Sequence, residues 1–479
     1  MAFTSKQSTI VVLLLAGTFI AILNQTLMIT AIPPIMEEMN VSANSAQWLT
    51  TVFMLVNGIM IPISAFLLAR FTTRQLFISA MSVFAVGTLV GAMAPNFEIL
   101  LLGRVIQSSG AGVMLPLMQT VFLLIFPRNK RGAAMGLVGL VISFAPAIGP
   151  ALSGWVTAHF SWRVLFIIIL PIVLIDILIA FFALKNVTEV SKPKVDVVSI
   201  ILSSFGFGGL LYGFTSAGNY GWSNPITLVS IGIGVISLAL FITRQLRLKN
   251  PMLEFRVFKF SVFPFAIIIG MISFMGLIGA ETIIPLFMQN MRGFTAFEAG
   301  LALLPGALIS GLMAPIVGRV FDRIGARWLV IIGLTIMTAA SFAFTTLGPS
   351  TTMTFITVLY GVRMLGLSMV MMPVATAALN QLPKRLLSHG AAMDNTMKMI
   401  AASVGTAILV TVMTTTAETA KQRPDISYPD MYGANIAFMV VSILSLVGLI
   451  LSFFISKDRQ SESEMEGTGQ RKVKVKLQE

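Results

Sequence analysis

The stretch Gly136–Trp155, GLVGLVISFAPAIGPALSGW, is apolar enough to cross a bilayer, yet it contains two prolines and several glycines. Lipid tolerates such helix breakers only where neighbouring protein satisfies the freed backbone groups. Small residues and one proline recur through the stretch, which ends in GPxxSG: Gly136, Ala145, Gly149, Pro150, Ser153 and Gly154. Small residues at this spacing let a second helix approach closely. The stretch therefore predicts a spanning helix in tight helix–helix contact, for which an ordinary packing face is the simplest alternative.

The composition of the whole chain is that of a helical membrane protein. Of its 479 residues, 56% are hydrophobic and only 11% are charged, whereas soluble domains carry about 25% charged residues. Repeated long apolar runs predict spanning helices and lack the alternation of an outer-membrane barrel. The chain has no cysteine and only two histidines, and it has no GxxxxGK[ST] phosphate-binding loop. We therefore expect no metal, no disulfide and no cofactor.

The apolar runs predict an all-α polytopic fold with fourteen spans. The expected spans cover residues 8–31, 46–68, 75–95, 99–124, 132–157, 164–184, 197–215, 226–243, 262–289, 297–318, 327–347, 352–378, 389–414 and 433–455. We group them as an N-terminal six-helix bundle (1–186), two linker helices with their loops (187–259) and a C-terminal six-helix bundle (260–456). The polar tail (457–479) is expected to be disordered and cytoplasmic.

An internal repeat supports the division into two bundles. The tetrapeptide GAAM occurs at Gly132–Met135 and again at Gly390–Met393, and Arg104 is echoed by Arg363 at nearly the same spacing. Parallel halves of this kind place a substrate site at their interface, near the middle of the membrane.

The charge distribution predicts the orientation of the chain. Its net charge is +13, which in a soluble protein would suggest nucleic acid as a partner. With the predicted spans and an internal N-terminus, most of the lysines and arginines fall on the cytoplasmic side. The exterior receives only Arg163, Arg292, Lys421 and Arg423. The positive-inside rule therefore predicts cytoplasmic N- and C-termini and accounts for the charge without nucleic acid.

Two further motifs carry charged residues at places where function is expected. GRVFDRIGAR, between the tenth and eleventh spans, contains Gly318, Asp322, Arg323, Gly325 and Arg327. Its aspartate can accept hydrogen bonds from the N–H groups at the start of a helix, which would give the motif a function. The alternative to a functional motif is an ordinary turn whose charges follow the positive-inside rule. GRVIQSSGAGVMLP places Arg104 and Gln107 inside the fourth span. A buried arginine in lipid is functional by default, although one near a span end can also extend to the interface.

Together these motifs resemble the fourteen-span drug:proton antiporters of the major facilitator superfamily, the EmrB/QacA type, and within them the LmrB-like lincomycin-resistance exporters. Gly136–Gly154 resembles the antiporter motif of the fifth helix, with Ala145 and Ser153 in place of glycines. Arg104 and Gln107 match the family's RxxQGxGxG motif, and Trp162 and Arg163 match SWRxxF. Gly318–Arg327 resembles the cytoplasmic GxxxDRxGRR loop.

The resemblance implies a proton-coupled multidrug efflux antiporter that works by alternating access. It implies that the Gly318–Arg327 loop latches the outward-facing state, that Arg104 takes part in proton coupling, and that the protein sits in the bacterial cytoplasmic membrane. The first-half counterpart of the loop has Ala69 where the family has its acid, so a first-half latch is in doubt. The expected partners are small-molecule drugs, protons and the lipid bilayer, with no nucleic acid and with a monomer as the working unit.

The coupling acid cannot be in the first helix, because Asn24 stands where the family has aspartate. Among acids within spans, Glu281 and Asp176 are the candidates, whereas Asp394 can pair with Lys398 one turn away. Either candidate could instead be a buried acid with a structural role. We predict that cargo is contacted by polar and methionine side chains of three spans: Asn24, Gln25, Gln107, Met114, Glu281 and Gln289.

Other functions were weighed on the same sequence. An exporter of an endogenous metabolite or lipid-like compound would carry the same motifs. A membrane enzyme would need a nucleophile–base pair or a metal cluster within the spans, and none is apparent. A sensor would need a folded soluble domain, for which no loop is long enough.

Overall fold

The computed structural model describes residues 5–188, 190–191 and 195–455, and in this part of the chain the regular structure is entirely helical. Fourteen of the described helices are long and apolar enough to cross a membrane, as the hydropathy predicts. They are α1 (Ser5–Met39), α2 (Ala43–Arg70), α3 (Thr73–Ala92), α4 (Phe97–Ile125), α5 (Arg131–His159), α6 (Val164–Ala183), α7 (Val197–Tyr220), α8 (Pro225–Arg247), α9 (Val262–Leu286), α10 (Ala296–Ile324), α11 (Ala326–Ala343), α12 (Met353–Asn380), α13 (Leu387–Lys421) and α14 (Pro429–Ser452). The tail 457–479, predicted to be disordered, lies outside the described residues.

The helix ends follow local sequence signals. Thr295 caps α10 in a capping box with Glu298, in which each side chain bonds to the other residue's backbone N–H. Gly325 separates α10 from α11 with φ of 79°, a left-handed conformation that glycine adopts without steric cost. The first helix is the main departure from the predicted spans. It continues past residue 31 to Met39 through Pro33 and Pro34.

We call α1–α6 the first half and α9–α14 the second half. The even number of crossings brings the start of α1 and the end of α14 to one face of the bundle, which we call the terminal face. Near that face the Gln7 side chain donates to the carbonyl of Ile125 at the end of α4, and Phe265 stacks on Phe454. The other face is called the distal face.

The linker helix α7 packs against both halves, and α8 packs on α7. In α7, Tyr212 stacks on Trp48 of α2 with ring centroids 5.5 Å apart. Just beyond α7, the Trp222 indole N–H donates to the Thr411 hydroxyl of α13 at 2.8 Å. The helix pair α7–α8 therefore covers the seam between α2 and α13 on one side of the molecule.

Candidate functional site

The first half encloses a polar network around Arg104, whose side chain is fully buried. Its Nη1 donates to Asn24 Oδ1 at 2.5 Å and to Gln107 Oε1 at 2.8 Å, and its Nε donates to the Leu49 carbonyl at 3.2 Å. The guanidinium also lies 4.1 Å from the centre of the Phe53 ring. A buried arginine with these partners is not extending to an interface. It joins α1, α2 and α4.

This network engages two of the residues predicted to contact cargo. Asn24 and Gln107 are buried, and the Gln107 amide also donates to the Thr88 hydroxyl at 2.8 Å. Met114 is fully buried, and a Cβ on Gly17 would lie 2.9 Å from its methyl carbon. The structure therefore places these side chains inside the first half. Of the other predicted contacts, Gln25 is half-buried, whereas Glu281 and Gln289 are exposed.

The second half holds a cluster of ionisable side chains around Glu281 on α9. The Tyr360 hydroxyl and the Arg363 guanidinium both lie close enough to the Glu281 carboxyl to interact with it electrostatically. Tyr360 and Arg363 are buried, whereas the Glu281 side chain remains accessible to solvent. An accessible acid held by two buried side chains is expected at the wall of an open space between helices.

Arg363 is only partly satisfied by hydrogen bonds. Its Nε donates to the Ser341 hydroxyl at 3.3 Å, while Nη1 and Nη2 have no hydrogen-bond partner among the described residues. A Cβ on Gly276, less than two turns before Glu281 on α9, would lie 2.9 Å from Nη2. The absence of a side chain at Gly276 thus lets the guanidinium reach α9.

The two polar clusters occupy corresponding places in the repeat. Asn24 on α1 bonds to Arg104 on α4, and Glu281 on α9 lies beside Arg363 on α12. The first-half pair combines a cation with a neutral amide. The second-half pair combines a cation with an acid that can take up and release a proton. Only the second cluster therefore has the chemistry needed for proton exchange.

Asp176, the other candidate acid, lies inside the first half. Its side chain is buried, and its Oδ2 has no hydrogen-bond partner among the described residues. A Cβ on Gly17 of α1 would lie 3.0 Å from that oxygen. Gly17 is about two helical turns from Asn24, and Asp176 is not among the residues bonded to Arg104. The structure therefore does not join these two predicted coupling residues.

The predicted ion pair on α13 is present. Lys398 Nζ lies 2.7 Å from Asp394 Oδ2, and both side chains are buried. The Asn395 side chain, directly after Asp394 in the chain, donates to Gln119 Oε1 of α4 at 2.7 Å. This region of α13 therefore contributes one of the polar contacts that cross between the halves.

The strongest contact between the halves involves Asp322. Its two carboxylate oxygens accept from the backbone N–H groups of Gly132 and Ala133, at 2.7 and 2.9 Å. These N–H groups belong to the first turn of α5, where a negative charge is favoured. A Cβ on Gly132 would collide with the carbonyl of Gly318, and a Cβ on Gly318 with that of Gly132. The end of α10 thus caps a first-half helix at close range.

The other residues of the predicted latch have different surroundings. Arg323 and Arg327 are exposed, and neither forms a salt bridge with a described residue. The corresponding first-half loop contacts the start of the linker that follows α6: the Thr73 hydroxyl accepts from the N–H groups of Val187 and Thr188. The first turn of α13 has no side-chain cap at Leu386.

Contacts between α5 and α10 run from the start of α5 at Gly132 to its middle at Phe144. A Cβ on Gly136 would lie 2.6 Å from the Ala314 carbonyl, and Ser143 shares a 3.1 Å hydrogen bond with Ser310. The first part of the stretch Gly136–Gly154 therefore packs on α10. Its distal part turns to α1, where Thr26 packs on Gly149 and the Thr30 hydroxyl donates to the Pro150 carbonyl.

Close packing of α5 ends at Gly154, near the distal face. A Cβ on Gly154 would have no atom within 4 Å, although Gly154 belongs to the predicted antiporter motif. Near the terminal face, by contrast, Arg131 Nη1 donates to Asn380 Oδ1 across the halves at 2.9 Å. The halves are therefore bonded to each other near the terminal face, whereas α5 lacks close packing at Gly154 near the distal face.

Two six-helix halves around buried arginines, joined through an aspartate that caps the facing helix, define a multi-pass membrane transporter. The chain belongs to the Major Facilitator Superfamily, whose sequence pattern matches residues 14–406. The family and the fold are those of membrane transporters, as the sequence motifs predict.

Individual relatives support the same assignment. The chain is 57% identical to the uncharacterized MFS-type transporter YcnB of Bacillus subtilis, over 95% of this chain and 96% of the relative. It is 42% identical to the lincomycin resistance protein LmrB of Listeria monocytogenes, over 93% of this chain and 95% of the relative. Its fold is similar to that of the human organic anion transporter MFSD10, with a TM-score of 0.69 over 94% of this chain and 100% of that one, at 14% identity. The predicted resemblance to LmrB-like exporters is confirmed.

Proposed function

We propose that this protein is a proton-coupled efflux antiporter for lipophilic drugs, including compounds of the lincosamide type. The observation that carries the proposal is the Glu281 cluster, in which an exposed acid within the span interacts with the buried Tyr360 and Arg363. The name of the LmrB relative supports drug export. In a bacterial cell the protein would lie in the cytoplasmic membrane and act as a monomer.

In this mechanism Glu281 exchanges a proton for cargo. A carboxylate within a membrane span is costly unless it is hydrated, paired or protonated. When the site is open to the exterior, Glu281 takes up a proton and cargo leaves. When the site is open to the cytoplasm, the proton leaves and a lipophilic or cationic drug replaces it. Arg363 keeps a positive charge beside the carboxylate and favours release of the proton.

The contacts between the halves supply the alternating access. Asp322 of α10, bonded to the start of α5, would hold the terminal face closed. Release of these bonds would let the halves rotate against each other into the opposite state. We assign the terminal face to the cytoplasm because most of the basic residues fall on that side. The described arrangement then corresponds to an outward-facing state.

Drug-susceptibility profiling of cells tests the function itself. We expect a strain overproducing the protein to tolerate several lipophilic drugs at higher concentrations, and a deletion strain to lose tolerance to the same drugs. Overproduction of the Glu281→Gln variant at equal membrane abundance is the matched control and is expected to give no protection. Unchanged tolerance of every drug in both strains would contradict the proposed cargo class.

A further inference from the structure

We propose that Tyr360 is a positioning residue that transmits the protonation of Glu281 to α10, the helix that closes the contact between the halves. The inference rests on the proposed function, because it takes Glu281 as the coupling acid. It goes further by identifying how protonation of a residue on α9 would affect a contact made by another helix.

Tyr360 stands between the acid and α10. On one side its hydroxyl lies close enough to the Glu281 carboxyl to interact with it. On the other side its ring packs on Gly306 of α10, where a Cβ would lie 2.8 Å from Cε1 of the ring and closer still to Cδ1. The missing side chain at Gly306 thus lets the ring touch the α10 backbone directly. Tyr360 is 1% exposed, so its ring has little room to move without moving α10.

The point of contact on α10 lies close to the seam between the halves. Ser310, about one turn after Gly306, bonds to Ser143 of α5, and Gly311 packs on the Phe144 ring. The same helix carries Asp322, which caps α5 at the terminal face. A shift of α10 at Gly306 would therefore displace the Ser143–Ser310 contact first.

Protonation of Glu281 changes the strength of its interaction with the Tyr360 hydroxyl. A carboxylate accepts a short, charge-assisted hydrogen bond from a phenol, and a neutral acid accepts a weaker one. The other charged group facing Glu281 is Arg363, also on α12. On α13, Asp394 and Lys398 pair with each other beside Gly270, about three turns nearer the terminal face. Among the described residues, Tyr360 is thus the hydroxyl that both interacts with the acid and packs on α10.

The test replaces the hydroxyl and leaves the ring in place. In Tyr360→Phe the ring still fills the space at Gly306, so the protein is expected to fold. We expect drug affinity to stay within about twofold of wild type, and pH-driven exchange to fall by about tenfold, the effect of one charge-assisted hydrogen bond. Exchange that keeps the wild-type rate and pH profile would overturn the inference.

A distance measurement separates transmission from a general loss of activity. The chain has no cysteine, so spin labels can be attached to cysteines at Phe160 and Phe297, which are exposed at the distal ends of α5 and α10. In wild type we expect the distance distribution to change between acidic and alkaline pH. In Tyr360→Phe we expect the change to disappear while the labelled protein remains folded.

The two proposals fail in different ways. If Glu281→Gln retains pH-driven exchange, the proposed function itself is wrong. If Glu281→Gln loses exchange and Tyr360→Phe keeps both exchange and the pH-dependent distance change, only the role of Tyr360 is wrong. A Gly306→Ala variant provides a second test, because its methyl group would displace the ring and is expected to alter the distance distribution at all pH values.

Discussion

Glu281→Gln is expected to reduce pH-driven drug exchange to the level of protein-free membranes while leaving the protein folded and able to bind drug. Glutamine has nearly the same shape and can still accept from Tyr360, but it cannot release a proton. The remaining charge of Arg363 would be unopposed beside it, so we also expect weaker binding of cationic drugs. The measurement is drug exchange in vesicles under an imposed pH gradient, with binding followed separately.

The matched control is Asp176→Asn. Asp176 is the other acid predicted for coupling, and the structure places it inside the first half, next to Gly17 and away from the Arg104 contacts. We expect this variant to keep its pH-driven exchange. Loss of exchange in Asp176→Asn with retention in Glu281→Gln would assign coupling to the first half and contradict the mechanism.

Asp322→Asn is expected to shift the balance between the two transport states by about ten- to a hundredfold against the state described here. The change removes the charge from two hydrogen bonds to the α5 start, and bonds to charged groups contribute about 1.5–3 kcal/mol. Cysteine accessibility at the terminal face measures the shift, since opening there would expose the α5–α10 contact. Transport is expected to slow because the state in which Asp322 bonds to the start of α5 becomes less populated.

Two glycines of α5 provide a matched pair for the same contact. Gly132→Ala would drive a methyl group into the Gly318 carbonyl and the Asp322 carboxylate, whereas Gly154→Ala would meet no atom within 4 Å. We expect Gly132→Ala to reproduce the effect of Asp322→Asn, and Gly154→Ala to behave as wild type. Equal behaviour of the two glycine variants would show that close packing at Asp322 does not set the state.

The sequence is sufficient to predict the class of fold because lipid imposes strong constraints on composition. Fourteen apolar runs give fourteen helices, and the buried pair Asp394–Lys398 follows from its spacing on one helix. The length of α1 could not be predicted in the same way. Pro33 and Pro34 read as a helix end, but α1 continues through them to Met39.

The candidate site is harder to read because its partners come from separate helices. Arg104 and Gln107 share a motif, and their bond to each other is a local one. Tyr360 was not predicted, although it lies three residues before Arg363, which is one turn of helix. The repeat of Arg104 as Arg363 was the available signal, since polar residues next to a buried arginine are expected to pair with it.

The stretch Gly136–Gly154 illustrates the limit of motif reasoning. Its small residues correctly predict close approach, but not which helix approaches. The first part contacts Ala314 of α10, the middle contacts Thr26 of α1, and a Cβ on Gly154 would meet no atom within 4 Å. The identity of each neighbour depends on the state of the transporter, which a pattern within one helix does not encode.

Proton movement measured together with drug movement tests the central claim most directly. Purified protein in sealed vesicles is loaded with a lincosamide or another lipophilic drug, and a pH jump is imposed while drug and internal pH are both recorded. The account predicts that drug moves against the proton flow in wild type, in both directions of the jump, and that Glu281→Gln moves neither. Drug movement that is the same with and without the pH jump, or that persists in Glu281→Gln, would contradict it.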